Sequence, residues 1–443
     1  MTKQTAGGRA TVGSVGLGKH RKFAAGPEIV DKNRDYRLLA SLQREIRQGV
    51  LAFTKRLSVA CCSSSPVPAV TRGKEGPVET GMPGVVRIER TLISRRDGTI
   101  DRGPARYFGL QHCGATLVCP VCGRKRYAEA SADVELVGRE LVRQGFTAAI
   151  MTLTARHDRS TRLRDFIKSF QRAERWMRMH RAFKQWAAKT GLQYSIRAVE
   201  VTDDAPDRPF CKKTGWHFHI HYLLFFKKDN NFYCESERQK AASALKHLWL
   251  QALEQSGLSG CFDSALDIRF STPKGSKDAA TASNSADIEI LSRYVAKAFA
   301  FEIGSPRTKS GRGGRISVWE LQRIALESHD ATLLRRYGEY MVAIKGVNWL
   351  RMTPALKTLL EQLKQNEEQK DAEQVEVLAE FEKEDFSIVA KYGKQAELLD
   401  IADKTDDTNA IIEYVKQLIA FDDAEKKRRI YVKYLDYVAK TAA

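Results

Sequence analysis

The sequence lacks any run of about 18 apolar residues, the length that a membrane-spanning helix needs. Its first residues are rich in glycine, lysine and arginine, and they contain no apolar core like that of a signal peptide. These two absences predict a protein that is neither inserted into a membrane nor exported. We therefore expect it in the cytoplasm.

Cysteine is scarce, with 8 residues in a chain of 443. Secreted domains that depend on disulfides are short and much richer in cysteine. The scattered spacing excludes a disulfide scaffold and predicts reduced thiols.

Acidic residues are outnumbered by basic ones, which gives a formal net charge of +19 and a pI near 9.5. The acidic residues concentrate between 358 and 423, so the basic character belongs mostly to the first 357 residues. Such a charge favours a polyanionic partner, which means nucleic acid or an anionic membrane surface.

Three of the nine histidines stand at alternate positions in the segment GWHFHIHYLLFF, which spans residues 215–226. In a β-strand, alternate residues point to the same face, so His217, His219 and His221 would project together. Same-side neighbours lie roughly 6.6 Å apart, close enough for two imidazoles to approach one cation. The pattern predicts a metal site, with simple packing of the histidines as the alternative. Glu200, on the preceding predicted strand, is a candidate carboxylate ligand, or else a solvent-facing strand residue.

A second candidate metal site lies in the segment CGATLVCPVC, which spans residues 113–122. The pair Cys119 and Cys122 has the spacing that places two thiolates on one zinc ion, and Cys113 supplies a third ligand. The candidates for a fourth ligand are His112, Cys61 and Cys62, and the sequence does not choose between them. The alternative is a redox-active or merely buried pair of cysteines.

Residues 163–190 are predicted to form one strongly basic helix, in which cationic and aromatic side chains are interleaved. Arg172, Arg175 and Arg178 on its positive face are candidates for contact with DNA phosphates. A solvated basic face without a partner is the alternative.

Residues 286–301 have the apolar spacing of an amphipathic helix that carries Tyr294 and Lys297 on one face. A tyrosine hydroxyl is a poor nucleophile at neutral pH, because its pKa is about 10. A neighbouring cation and a metal-polarised phosphate would make its attack feasible.

Strands are predicted at 146–154, 194–202, 217–226 and 261–270, with helices between them, so we expect an α+β fold. The expected architecture is a central antiparallel β-sheet flanked by helices, together with a zinc-knuckle-like segment and a mostly helical C-terminal region.

Together these segments resemble replication initiators of the rolling-circle type, which belong to the HUH endonuclease superfamily, where H is histidine and U a bulky apolar residue. The resemblance covers residues 105–357 and is most specific where GWHFHIHYLLF is followed downstream by YVAKA at 294–298. It implies an antiparallel sheet that carries the histidines at its centre and the tyrosine on an adjacent helix. The three domains expected are a basic N-terminal arm with a short helix and a linker (1–104), the HUH endonuclease domain, which includes the zinc-binding segment 112–122 (105–357), and a helical acidic region (358–443).

The resemblance implies a metal-dependent, site-specific nickase and strand transferase that acts at the origin of a plasmid or phage. In the family's chemistry a tyrosine attacks a phosphodiester, forms a 5′-phosphotyrosine link and leaves a 3′-hydroxyl primer. Carried over to this chain, Tyr294 is the nucleophile, and the metal ligands are His219, His221 and Glu200, with His217 as a further contributor.

Lys297 would neutralise the scissile phosphate or position the tyrosine. No second tyrosine stands beside Tyr294, so a water activated by a carboxylate would end the cycle, with Glu302 or Glu289 as the base. The family's ion is Mg²⁺ or Mn²⁺, and the histidine-rich ligand set favours manganese in vitro. A structural Zn²⁺ would occupy the cysteine segment.

The partners implied are origin DNA, single-stranded or folded as a hairpin at the nick site, and the host's helicase, polymerase and single-strand binding protein. The implied location is the cytoplasm of a bacterial host. A transposase or relaxase of the same superfamily is an alternative, and so is a zinc-stabilised nucleic-acid-binding protein without catalysis.

Overall fold

The computed structural model describes residues 32–48, 57–72, 77–80, 84–94, 99–157, 161–204, 215–227, 235–270, 315–368, 374–405 and 407–441. The predicted helix at 286–301, which carries Tyr294 and Lys297, lies outside these residues, and so does Glu302. None of the described helices is long and apolar enough to cross a bilayer.

A central sheet of six antiparallel strands organises the middle of the chain. Its strands are β6 (Thr147–Leu153), β7 (Leu192–Asp204), β8 (Trp216–Phe226), β9 (Leu266–Phe270), β10 (Arg315–Ser317) and β11 (Leu350–Met352). The hydrogen-bonded order is β10-β7-β8-β6-β9, and β11 also pairs with β7. The predicted antiparallel sheet with the histidine strand at its centre is therefore confirmed.

Apolar side chains on one face of β8 pack against two of the three helices that follow β6 and β8. The helices that follow β6 and β8 are α4 (Leu163–Met179), α5 (Arg181–Thr190) and α6 (Glu235–Gln255). The ring of Phe170 on α4 lies 5.1 Å from that of Phe218 on β8 and 5.2 Å from that of Trp249 on α6. All three rings are almost completely buried, so this face of the sheet belongs to the core.

The basic segment 163–190 was predicted as one helix, and this prediction is wrong at His180. That residue has an extended backbone (φ −66°, ψ 144°), which ends α4. Its Nδ1 accepts a hydrogen bond from the backbone amide of Ala182 at 3.2 Å and so caps α5. The side-chain cap satisfies an amide that the first turn of a helix leaves free.

A second sheet joins segments that are far apart in the sequence. Its strands are β3 (Val86–Ser94), β4 (Ile100–Arg102), β5 (Arg106–Phe108) and β12 (Gln374–Phe381). β3 lies at the centre and pairs antiparallel with each of the other three. A small hairpin, β1 (Val70–Arg72) with β2 (Pro77–Glu79), precedes this sheet in the chain.

The remaining helices come before β6 or after β10 in the chain. They are α1 (Lys32–Arg47), α2 (Leu57–Ala60), α3 (Pro120–Arg143), α7 (Val318–Ser328), α8 (Ala331–Ala343), α9 (Pro354–Glu368), α10 (Lys383–Lys391), α11 (Gln395–Lys404) and α12 (Thr408–Thr441). The mostly helical C-terminal region is confirmed.

Hydrogen bonds tie the second sheet to the C-terminal helices. Arg90 donates to the carbonyl of Ala402 at 2.6 Å, and the amide of Ala105 donates to the Asp403 carboxylate at 2.6 Å. Residues assigned to the N-terminal and C-terminal parts thus contact each other directly, while the domain boundaries at 104 and 357 stay a prediction.

Candidate metal centres

The three histidines of β8 lie in a row on one face of the central sheet. The rings of His217 and His219 are 6.2 Å apart and nearly parallel, and those of His219 and His221 are 6.3 Å apart. Phe218, between the first two histidines, points into the core on the other side. The period of two along a strand produces this row.

Glu200 joins the row from the neighbouring strand. It pairs with His219 in the β7–β8 register, and its Oε2 lies 2.9 Å from Nε2 of His221. On the other side of the same ring, Nδ1 of His221 lies 3.1 Å from the hydroxyl oxygen of Thr152 on β6. The Thr152 contact on Nδ1 fixes the orientation of His221, which is the support that a metal-ligating histidine receives on its other nitrogen, while Nε2 faces Glu200.

His219 is the histidine with unmet hydrogen-bonding capacity. Its Nδ1 is buried and has no hydrogen-bond partner among the described residues. Leaving a buried polar atom unpaired costs about 1–3 kcal/mol. A ligand, an ordered water molecule or a residue outside the described part of the chain would satisfy it.

His217 is held in its place in the row by an aspartate. Its Nε2 lies 3.0 Å from Oδ1 of Asp204, and its ring packs edge-on against His157 with the centroids 4.3 Å apart. The other Asp204 oxygen accepts a hydrogen bond from the amide of Gly215 at 3.0 Å. Asp204 therefore fixes both His217 and the start of β8.

Burial keeps two of these imidazoles neutral. It lowers the pKa of His219 to about 3, and the neighbouring His221 adds to the effect. Burial, helped by His157 and Arg315, likewise lowers the pKa of His217 to about 4. A neutral imidazole carries the lone pair that a metal ion needs.

An arginine on α8 braces the ends of the two central strands. Arg336 makes two hydrogen bonds to the carboxylate of Asp203, at 2.7 and 2.9 Å, and its guanidinium lies 4.0 Å from the ring centre of Trp216. Asp203 and Trp216 face each other in the β7–β8 register. The brace therefore supports the pairing beside His217.

Four cysteines form a second, tighter cluster. The sulfurs of Cys62, Cys113, Cys119 and Cys122 all lie within 4.8 Å of one another. Three of the separations are 3.6 Å, namely Cys62 to Cys119, Cys62 to Cys122 and Cys113 to Cys122. A zinc ion bonded to four sulfurs at about 2.3 Å has sulfur separations of about 3.8 Å, so the cluster fits a tetrahedral zinc site.

The structure selects Cys62 as the fourth cysteine of this cluster. Its neighbour Cys61 is exposed, and Nδ1 of His112 lies 3.4 Å from the hydroxyl of Ser63. Cys119 caps α3 and Cys122 lies in the first turn of that helix, which begins at Pro120. Proline suits a first helical position because its missing amide hydrogen would have no partner there.

Hydrogen bonding within the cluster favours thiolates at Cys62 and Cys122, whereas the pKa values of Cys113 and Cys119 are raised. Hydrogen bonds from Cys113, Cys119 and Cys122 lower the pKa of Cys62, and those from Cys113 and Cys119 lower the pKa of Cys122 to about 5. Hydrogen bonds to Cys122 and Cys62 raise the pKa of His112 to about 9. His112 is not among the four residues whose ligand atoms meet within 4.8 Å, and its raised pKa suits a hydrogen-bond donor to the sulfurs.

The two centres differ in compactness. Within the part of the chain that the structure covers, only the four cysteines bring three or more ligand atoms within 4.8 Å of one another. The ring centres of neighbouring histidines in the row lie more than 6 Å apart. Among the proposed metal ligands, the contact found is the one between His221 and Glu200. The sequence analysis did not single out Asp204, Thr152 or His157, and it left Cys62 as one of three candidates for the fourth ligand of the cysteine cluster.

Comparison with known proteins identifies the family to which the chain belongs. A family model described as "Replication protein" matches residues 108–398, which is more than half of the chain and includes both centres apart from Cys62. The chain belongs to this replication protein family. The membership confirms the predicted resemblance to replication initiators.

Curated relatives come from Streptomyces. A "Protein rep" of Streptomyces lividans is 24% identical over 318 residues, which cover 58% of this chain and 65% of the relative. A "Neomycin resistance protein" of Streptomyces cyanogenus is 30% identical over 146 residues, which cover 28% of this chain and 32% of the relative. The chain thus spans less than two thirds of either relative. No solved structure matches.

The zinc assignment predicts a difference between adjacent cysteines. Cys62→Ser should abolish binding of one equivalent of zinc and lower the melting temperature, since metal binding and folding are coupled. Cys61→Ser removes a thiol from the exposed neighbouring position and should keep both the zinc and the stability. Atomic emission of the purified proteins and thermal unfolding measure the two effects, and full zinc occupancy in Cys62→Ser would contradict the assignment.

Proposed function

We propose that this replication protein initiates rolling-circle replication of a plasmid or phage by nicking one strand of the origin. The phenolic oxygen of Tyr294 attacks the phosphorus, the bond from phosphorus to the 3′ oxygen breaks, and that oxygen takes up a proton. The products are a 5′-phosphotyrosine link and a 3′-hydroxyl primer. The observation that carries the proposal is the row of histidines with Glu200 in a chain of the replication protein family.

A divalent ion, Mg²⁺ or Mn²⁺, would be held by His219, His221 and Glu200. When bound, such an ion polarises a phosphate oxygen and stabilises charge on the departing oxygen. The unpaired Nδ1 of His219 and the neutral state of that ring support this set. His217, bonded to Asp204 through Nε2, contributes mainly by holding its end of the strand.

The position of Tyr294 in the chain supports its role. The chain leaves the central sheet at Phe270, on edge strand β9, and returns at Arg315, on the opposite edge strand β10. Nε of Arg315 lies 3.5 Å from the carboxylate of Asp204, which holds His217. The helix predicted around Tyr294 therefore lies in a connection that returns to the histidine end of the sheet.

Two further residues between β9 and β10 are proposed to take part in the reaction. Lys297, one helical turn after the tyrosine, would neutralise the scissile phosphate or position the phenol. Glu302 would activate the water that ends the cycle by hydrolysing the phosphotyrosine. Both assignments come from the family's chemistry and the sequence positions.

The exposed side of α4 is proposed to contact DNA. Arg172 and Arg175 are exposed there. Arg178 is half-exposed and lies 2.8 Å from the buried carboxylate of Glu174, so it also stabilises the helix on the sheet. These cations suit single-stranded or hairpin origin DNA in a bacterial cytoplasm, where the host's helicase, polymerase and single-strand binding protein would act next.

A zinc-stabilised nucleic-acid-binding protein without catalysis is the second candidate, favoured by the compact cluster of four cysteines. A transposase or relaxase would use the same nicking chemistry. The covalent intermediate separates the non-catalytic candidate from the nicking enzymes.

The nucleophile is tested by removing the phenolic oxygen of Tyr294. Incubated with single-stranded origin DNA and Mn²⁺, the wild-type protein should form a covalent adduct that survives denaturation. Tyr294→Phe should form none, because it lacks the attacking oxygen, and should bind DNA nearly as well as the wild type. Denaturing gel electrophoresis with labelled DNA detects the adduct, and its persistence in Tyr294→Phe would mean that another residue attacks.

The metal ligands are tested by histidine replacement. His219→Ala and His221→Ala should each lower the cleavage rate by about 100-fold or more and weaken Mn²⁺ binding, since even outer-shell changes cost about 10- to 100-fold at metal sites. His247→Ala removes an exposed histidine on α6 and should change neither quantity. Calorimetric titration with Mn²⁺ and a cleavage assay measure the effects, and unchanged Mn²⁺ affinity in His221→Ala would refute the ligand set.

A further inference from the structure

A basic groove lies between the start of α4 and the exposed side of α8. The cavity has a volume of about 510 Å³. Its lining residues are Arg162, Arg164, Asp165, Lys168, Arg335, Gly338, Glu339, Val342 and Ala343. Four cations and two carboxylates therefore line it, so the groove carries a net positive charge.

The cations of the groove are available to a ligand. Arg162, Arg164, Lys168 and Arg335 are all exposed. None of the ion pairs found among the described residues involves any of the four. By contrast, Glu339 is already engaged, because it accepts from Arg336 at 3.0 Å and from the amide of Leu163 at 3.4 Å. The groove thus offers uncompensated positive charge to an anion.

Both walls of the groove are connected to the histidine end of the sheet. On α4, the ring of Phe166 lies 5.3 Å from that of His157, which in turn packs on His217. On α8, Arg336 follows Arg335 and is bonded to Asp203, next to Asp204. A DNA strand in the groove would therefore lie on the two helices that also support the start of β8.

We propose that this groove binds the phosphodiester backbone of DNA next to the histidine centre. The inference rests on the proposed function for the identity of the polyanion and assigns phosphate contacts to Arg162, Arg164, Lys168 and Arg335. None of the described residues that line the groove is aromatic, so they provide no stacking platform of the kind on which proteins usually hold unpaired bases. The contacts are with phosphates, which position DNA without reading its sequence.

The test removes one arginine from each wall. Arg164→Ala/Arg335→Ala should lower the affinity for DNA by about tenfold or more at 0.1 M salt. The slope of log affinity against log salt should fall by about 1.4 to 1.8, because each phosphate contact contributes about 0.7 with a single strand and about 0.9 with a duplex. The loss should be the same for origin and scrambled sequences. Fluorescence anisotropy measures the affinity and its salt dependence with a 30-nucleotide DNA, both single-stranded and as a duplex.

A matched control removes the same charge elsewhere. Arg44 and Arg47 are exposed on α1, which contributes no residue to the groove. Arg44→Ala/Arg47→Ala should keep an affinity within about twofold of the wild type and nearly the full salt slope. Equal losses in the two double variants, or an unchanged slope in the groove variant, would overturn the proposal.

Failure of the groove and failure of the nicking activity give different results. If the wild type forms the Tyr294 adduct but the groove variant binds DNA like the control, the groove proposal is wrong and nicking stands. If no adduct forms and the groove variant still loses affinity and salt slope, nicking is wrong and the groove stands. Equal zinc content and circular dichroism in all variants establish that each is folded.

Discussion

The register between β7 and β8 is the constraint on which the histidine centre depends. Glu200 faces His219 in this register, and its carboxylate reaches His221. Because side chains alternate along a strand, a slip of one residue would turn Glu200 to the opposite face of the sheet. The placement of Glu200 beside the histidine row therefore exists only while this one pairing is maintained.

Polar contacts on both faces of the hairpin hold the register. On the histidine face, Asp204 bonds the amide of Gly215 and lies beside His217. On the other face, Glu174 of α4 accepts from Tyr222 of β8 and lies 3.4 Å from Arg197 of β7, which pairs with Tyr222. These buried polar and charged groups face each other in the observed pairing, so a shifted register would separate them at a cost.

The sequence predicted local patterns well and long-range contacts poorly. The alternation of histidine with apolar residues was sufficient to predict the face that carries His217, His219 and His221. Asp204 carried no such signal, because its contacts depend on where β8 starts after ten intervening residues. Cys62 could not be distinguished from Cys61, since adjacent residues point in different directions and the partners lie more than 50 positions away.

Two further features of the fold, strand β12 and the helix break at His180, were not predicted from the sequence. The segment around β12 is rich in glutamate and glutamine, which favoured helix, although valines alternate with glutamate at the start of the strand. Its pairing with β3 is a contact across nearly 300 residues, which no local pattern reports. The break at His180 arises because one side chain caps the next helix, whereas the apolar spacing continues on both sides of it.

The central claim is that imidazoles of β8 bind the catalytic cation. Electron spin-echo spectroscopy of Mn²⁺ bound to the protein measures this directly, because nitrogen nuclei bonded to the ion modulate the echo. The account predicts modulation by two imidazole nitrogens, from His219 and His221, which changes when the histidines are labelled with ¹⁵N. Tightly bound Mn²⁺ without any nitrogen modulation would contradict it.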